Sequence, residues 1–165
     1  MFEETIQLRV RYHDCDPLGI VYHGHYVKFF EIGRTEAMRK HDFSYKKLEE
    51  LGFAMPVVEM NIKYFRPARY DELMDIKTII KDWPDKKIIF TSEIYNQQGQ
   101  LLTSSETTFV YVKKDSLRRC HIPEIVLEHL KPFFKEELKK IKEDLSADRQ
   151  EKKAKEKINK VKHKI

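Results

Sequence analysis

Seven side chains able to carry chemistry crowd into one short stretch of this sequence: His13, Asp14, Cys15, Asp16, Tyr22, His23 and His25. Carboxylates beside imidazoles can do more than one kind of work. Asp14, Asp16, His23 and His25 are suitable ligand types for a hydrolytic metal, although each pair is separated by one residue and no helical HExxH pairing supports them. An aspartate kept from bulk water can instead act as nucleophile or general base toward an activated carbonyl. Asp and Gly also build turns for conformational reasons alone, and Pro17 and Gly19 suit that reading. A loop that runs into a helix has one further property. It delivers the unpaired N–H groups of the helix start to wherever the loop points, which favours developing negative charge.

The run Tyr12-His13-Asp14-Cys15-Asp16-Pro17-Leu18-Gly19-Ile20-Val21-Tyr22-His23, followed by Tyr26, Phe30-Glu31 and Arg34, resembles the signature of hotdog-fold acyl-CoA thioesterases. The resemblance is to the 4-hydroxybenzoyl-CoA thioesterases and to the thioesterases associated with the bacterial Tol-Pal system. A second block, Tyr64-Phe65-Arg66-Pro67-Ala68 with Asp71, resembles their strand-turn-strand segment, and the likeness spans about residues 5 to 132. It implies that Asp16 is the catalytic carboxylate and that the His23 N–H polarises the thioester carbonyl. It further implies substrate contacts from Tyr22, Gly24 and His25, and contacts from Lys86 and Lys87 to the phosphates of coenzyme A. Asp14 is expected to anchor the loop and Cys15 to pack. Glu31 and Arg34 either order the loop from the helix or form a surface pair at i, i+3. No metal or other cofactor is expected on this reading. The chemistry agrees with it: a thioester has a good leaving thiolate, so one carboxylate and an oxyanion donor suffice where an amide needs a stronger base. A non-catalytic module binding acyl-CoA or acyl carrier protein is the alternative of another class, and a metal-dependent hydrolase is the alternative among enzymes.

The elements that must hold these groups are legible from periodicity. Residues 5 to 12 alternate, with Ile6, Leu8, Val10 and Tyr12 on one face, and predict a half-buried strand. From His25 to about His41, Tyr26, Phe29, Phe30, Gly33, Ala37 and Met38 recur at helical spacing, with Glu36 and Lys40 four apart on a polar face. Gly33 costs roughly 1 kcal/mol relative to Ala in a helix, which points to close packing there. A short helix at 44 to 51 stops at Gly52. Strands are expected at 58 to 64, 74 to 80, 87 to 95 and 101 to 112, with a turn at 96 to 99. The fold class expected is α+β: a five-stranded antiparallel sheet wrapped around one long central helix, followed by a C-terminal helical tail. Such a sheet leaves a face and an edge to cover, so a homodimer assembling to a homotetramer is expected.

Composition divides the chain in two. Residues 136 to 165 hold eleven Lys or Arg and seven Asp or Glu, a net +4 of the whole chain's +5, so the basic balance belongs to the tail. The body has no basic patch, and no nucleic-acid partner is expected. We therefore expect a thioesterase domain at 1–135 and a charged, lysine-rich helical or partly disordered tail at 136–165. In that tail Leu138, Ile141 and Leu145 hold a heptad-like spacing that lapses until Ile158, Val161 and Ile165, so no sustained coiled coil is expected. The sequence lacks a signal-peptide pattern and a run of about 18 apolar residues, and Cys15 and Cys120 form no disulfide or metal pattern. A cytoplasmic protein with reduced thiols is expected, its tail making no membrane contact.

Overall fold

A computed structural model of the chain describes residues 1–141, 143 and 144. Five long strands form one antiparallel sheet. β1 (Phe2–Arg9) pairs with β4 (Leu73–Ile80), β4 with β5 (Lys87–Asn96), β5 with β6 (Leu101–Lys113), and β6 with β3 (Val57–Tyr64), giving the order β1-β4-β5-β6-β3. Two-residue strands, β2 (Phe53–Ala54) and β7 (Arg119–Cys120), extend the far end of β6, so the sheet has seven strands where five were expected. Alternation decides which face is inside. Met74, Ile76, Thr78 and Ile80 of β4, and Ile88, Phe90, Ser92 and Ile94 of β5, are buried on one face. The turn joining β5 to β6 is made by Asn96, whose side chain accepts the N–H of Gln98 and Gln100, and by Gly99 at φ +72°.

Across the inner face lies α1 (His25–Arg39), burying Tyr26, Phe29, Phe30, Gly33, Arg34, Ala37 and Met38. Gly33 is where helix and sheet come closest. A Cβ at that position would stand 2.5 Å from Ile76 Cγ2 and 3.3 Å from Thr78 Oγ1, so only glycine lets α1 lie so near β4. Near its start the helix packs with Val21, Ala68, Met74 and Ile94. Near its end the core is closed by Leu48 of α2 (Tyr45–Glu50), by Phe90 and Phe109, and by Val126 and Leu130 of α3 (Glu124–Leu130). This is the hotdog arrangement: one sheet wrapped about one helix.

Several local expectations are corrected. The first strand begins at Phe2 and ends at Arg9, because its pairing with β4 runs from Phe2 opposite Ile80 to Arg9 opposite Leu73. Tyr12 therefore leaves the strand for a 3-10 turn (Tyr12–Asp14) and is 82% exposed. Glu36 pairs with Arg39 rather than Lys40, whose ammonium reaches Glu4 on β1 instead. Arg34 forms no surface pair; it is buried, with its guanidinium 4.3 Å from the centre of the Phe109 ring. β3 keeps the expected alternation at Met60 and Ile62, half-buried between exposed Glu59, Asn61 and Lys63, but Val58 and Tyr64 on the apolar side are exposed, at the edge where only β6 pairs with the strand. Pro123 caps α3, and Pro132 falls in a 3-10 turn (Lys131–Phe133). Residues 135–141 are helical; Leu138 packs against the core and Glu137 accepts the Trp83 N–H. The expectations at Leu145, Ile158, Val161 and Ile165 lie outside the described residues.

Candidate active site

The reactive stretch is a loop stitched to its neighbours by backbone hydrogen bonds. Gly19 N–H donates to the Asp16 carbonyl across a turn led by Pro17, and Gly19 takes φ +72° there. Asp16 N–H donates to the Ile20 carbonyl, Tyr22 N–H to the Asp14 carbonyl, and Val21 N–H to the Ala68 carbonyl. The loop is thus a miniature hairpin sewn to the segment between β3 and β4. Its outer end is closed by Val10 N–H to the Glu72 carbonyl and Asp71 N–H to the Val10 carbonyl. This explains why Ala68, in the second sequence block, is fully buried.

Asp16 uses one carboxylate oxygen for the loop. Oδ1 accepts the Leu18 N–H at 2.8 Å, while Oδ2 has no partner among the described residues. Asp14 is spent differently. Its side chain is 3% exposed; Oδ2 accepts the Arg11 N–H at 2.8 Å, and Oδ1 accepts no hydrogen bond while lying 3.3 Å from His13 Nε2 and 3.7 Å from His25 Nδ1. His25 Nδ1 is 3.0 Å from the Asp14 backbone carbonyl. A carbonyl only accepts, so Nδ1 carries the proton and a neutral ring leaves Nε2 bare. Cys15 lies between the two aspartates, and burial, reinforced by both carboxylates, pushes its thiol up. That keeps the thiol protonated and argues against a thiolate nucleophile.

The donors come from the start of α1. Gly24 is the N-cap and offers no side chain to the first turn, which also lacks an acidic residue. Tyr22 and His25 frame this corner, the Tyr22 ring packing against the rings of His23 and His25 at 4.3 and 5.6 Å. A Cβ on Gly24 would strike the Tyr22 ring at 2.7 Å, so glycine there lets that ring fold over the helix start. The His23 N–H has no acceptor among the described residues. A cavity of about 270 Å³ opens beside it, lined by Ile20, Val21, His23, Tyr26, Tyr64, Phe65, Arg66 and Pro67. Asp16 does not line this cavity; its N–H donates to the carbonyl of Ile20, which does. Lys86 and Lys87 lie elsewhere, on a separate cavity of about 570 Å³ with Lys81, Trp83 and Glu106. Glu31 is exposed on α1 and adds only a favourable charge near Arg34, whose guanidinium burial otherwise disfavours. Among the described residues no three His, Cys, Asp or Glu side chains converge as metal ligands, so Asp14, Asp16, His23 and His25 do not form the ligand set considered from sequence.

One contact escaped the sequence. The Tyr64 hydroxyl donates to the His23 carbonyl at 3.0 Å, from 41 residues away. Tyr64 stands in the second block, but spacing along the chain carries no sign of which loop its hydroxyl meets.

Comparison with known proteins places this geometry in context. Residues 10–130 match the model of the thioesterase-like superfamily. The acyl-CoA thioester hydrolase YbgC of Escherichia coli O6:H1 is 35% identical over 124 residues, covering 75% of this chain and 92% of that protein. The DHNA-CoA thioesterase of Staphylococcus aureus superposes with a TM-score of 0.70 at 25% identity, covering 91% of this chain and 95% of its own. An aspartate-to-asparagine variant of 4-hydroxybenzoyl-CoA thioesterase, bound to 4-hydroxybenzoyl-CoA, superposes with a TM-score of 0.71 at 25% identity over 78% of this chain and 99% of its own.

Proposed function

Because the chain belongs to the thioesterase-like superfamily, we propose that it hydrolyses acyl-coenzyme A thioesters to the free acid and coenzyme A through the loop just described. Asp16 acts on the carbonyl carbon, as nucleophile or as base for water, and the His23 N–H receives the developing oxyanion. The observation that carries this reading is the pair of unspent groups on one stitched loop: Asp16 Oδ2 and the His23 N–H, at a helix start that no side chain caps. Expelled thiolate takes up a proton to give the free thiol, so neither metal nor redox partner is needed to balance the reaction.

Tyr22, Gly24 and His25 shape the approach to that corner, with Asp14 anchoring His25 behind it and Glu31 on the following helical turn. Lys86 and Lys87, on their own cavity, suit the phosphates of coenzyme A. Acyl carrier protein presents its acyl group on the same phosphopantetheine arm and is the second donor to assay. An uncovered edge at β3, with Val57, Val58, Tyr64 and Phe65 exposed, supports a homodimer that assembles to a homotetramer. Two free cysteines support a cytoplasmic setting, and no helix among the described residues is long and apolar enough to cross a membrane.

The test is Asp16→Asn assayed by free-thiol release over a panel of acyl-CoA chain lengths. Removing a positioned acid-base group costs about 10²- to 10⁴-fold. A loss of that size is expected with the fold intact, and turnover near that of the parent protein would overturn the assignment.

A further inference from the structure

We propose that Tyr64 is a positioning residue for the oxyanion donor, its hydroxyl locking the peptide that follows His23 so that the His23 N–H keeps one orientation beside the cavity. This rests on the thioesterase reading above and adds to it a residue on a different element of the fold.

The donor peptide is held on two sides. The Tyr22 carbonyl, which shares a peptide unit with the His23 N–H, accepts the His25 N–H at 2.9 Å, closing the turn that leads into α1. The His23 carbonyl, in the next peptide unit, accepts the Tyr64 hydroxyl at 3.0 Å from outside the helix. Between the two units only the backbone torsions of His23 are free to turn. Locally only that turn bond restrains them, since Gly24 has no side chain and the first turn has no capping residue. Tyr64 is itself well anchored. Its ring stands edge-on to Tyr26 at 5.5 Å, and Tyr26 is buried with its hydroxyl accepting the Ala68 N–H at 3.2 Å. Tyr64 and His23 also line the same cavity, so the lock lies at the site rather than behind it.

A donor contributes to catalysis only when it points at the oxygen that gains charge. A misplacement of about 1 Å is costly in such sites. Loss of the Tyr64 hydroxyl would therefore weaken the transition state more than the bound thioester, since substrate is held by the cavity and by coenzyme A contacts as well.

Tyr64→Phe keeps the ring and its packing on Tyr26 and deletes only the hydrogen bond. We expect kcat to fall about tenfold or more with KM within about twofold of the parent, and Tm little changed. Backbone ¹⁵N relaxation should show the His23 and Gly24 amides becoming more mobile while α1 beyond them is unaffected. Unchanged kcat would overturn the inference, as would a higher KM at constant kcat, which would make Tyr64 only a wall of the cavity. If the parent protein turns over no acyl-CoA or acyl carrier protein, the functional reading fails instead. The lock is then decided by the relaxation data alone: unaltered His23 and Gly24 amides in Tyr64→Phe would overturn it.

Discussion

Arg34 and Tyr111 carry polar atoms into the interior that nothing among the described residues answers: Arg34 Nε and the Tyr111 hydroxyl are both buried without a hydrogen-bond partner. The arginine is partly compensated by the faces of Phe109 and Phe90, 4.3 and 5.7 Å from its guanidinium carbon. Its position alone fits burial. It stands four residues after Phe30 and four before Met38, on the apolar face of the helix, yet its charge and the nearby Glu31 suggest a surface pair. Tyr111 has no such compensation, and burial pushes its phenol well above the usual range, so the hydroxyl stays neutral and unpaired. Tyr111→Phe is expected to raise stability by about 1 kcal/mol, because it removes a buried donor that makes no bond. Chemical denaturation measures this, and a clear loss of stability would reveal a partner for the hydroxyl.

Among the elements, the contact between α1 and β4 decides most. Gly33→Ala gains about 1 kcal/mol of helix propensity but drives a methyl into Ile76 Cγ2, an overpacking that costs about 1–3 kcal/mol. A net loss is expected, and adding Ile76→Ala should make the double variant more stable than the sum of the two single effects. Strict additivity in thermal or denaturant unfolding would count against that contact. This packing was legible, since a glycine in the middle of an apolar helical stripe needs a close neighbour to justify it. β4 was legible because alternation reports a covered face, and β5 and β6 because β-rich runs flank the turn at 96 to 99. The exposure of β3 was not, because Met60 and Ile62 alternate with Glu59 and Asn61 as they would in a central strand. What differs is that β6 alone pairs with it, a fact of topology that no local pattern carries. The miniature hairpin at the site was hidden likewise. Its stitches run to Ala68 and Glu72, outside any window in which Asp and Gly signal a turn.

At the scale of the molecule, the charged tail and the body meet at a definite place. Leu138 packs on the core and Glu137 accepts the Trp83 N–H, so the body extends past residue 135. Ending the chain after residue 144 is expected to leave Tm and thioester turnover unchanged. Ending it after Phe134 removes both contacts and should lower Tm by about 4 °C, with turnover preserved below the new midpoint. Equal Tm for the two truncations in a thermal scan would show that these contacts contribute nothing. The strand order also dictates when the molecule can assemble. β1 has no partner until the chain reaches Leu73, opposite Arg9, and β3 none until Thr103, opposite Tyr64. Of the five long strands only β4, β5 and β6 are neighbours both in sequence and in the sheet, and closing the longer loops carries an entropic cost that local pairing does not. Folding is thus led from the middle of the chain, and the reactive loop, strung between β1 and α1, is fixed only when Ala68 and Glu72 have arrived to hold it. On a ribosome, a chain whose reactive loop had already emerged would leave that loop unstitched until Ala68 and Glu72 had followed it out.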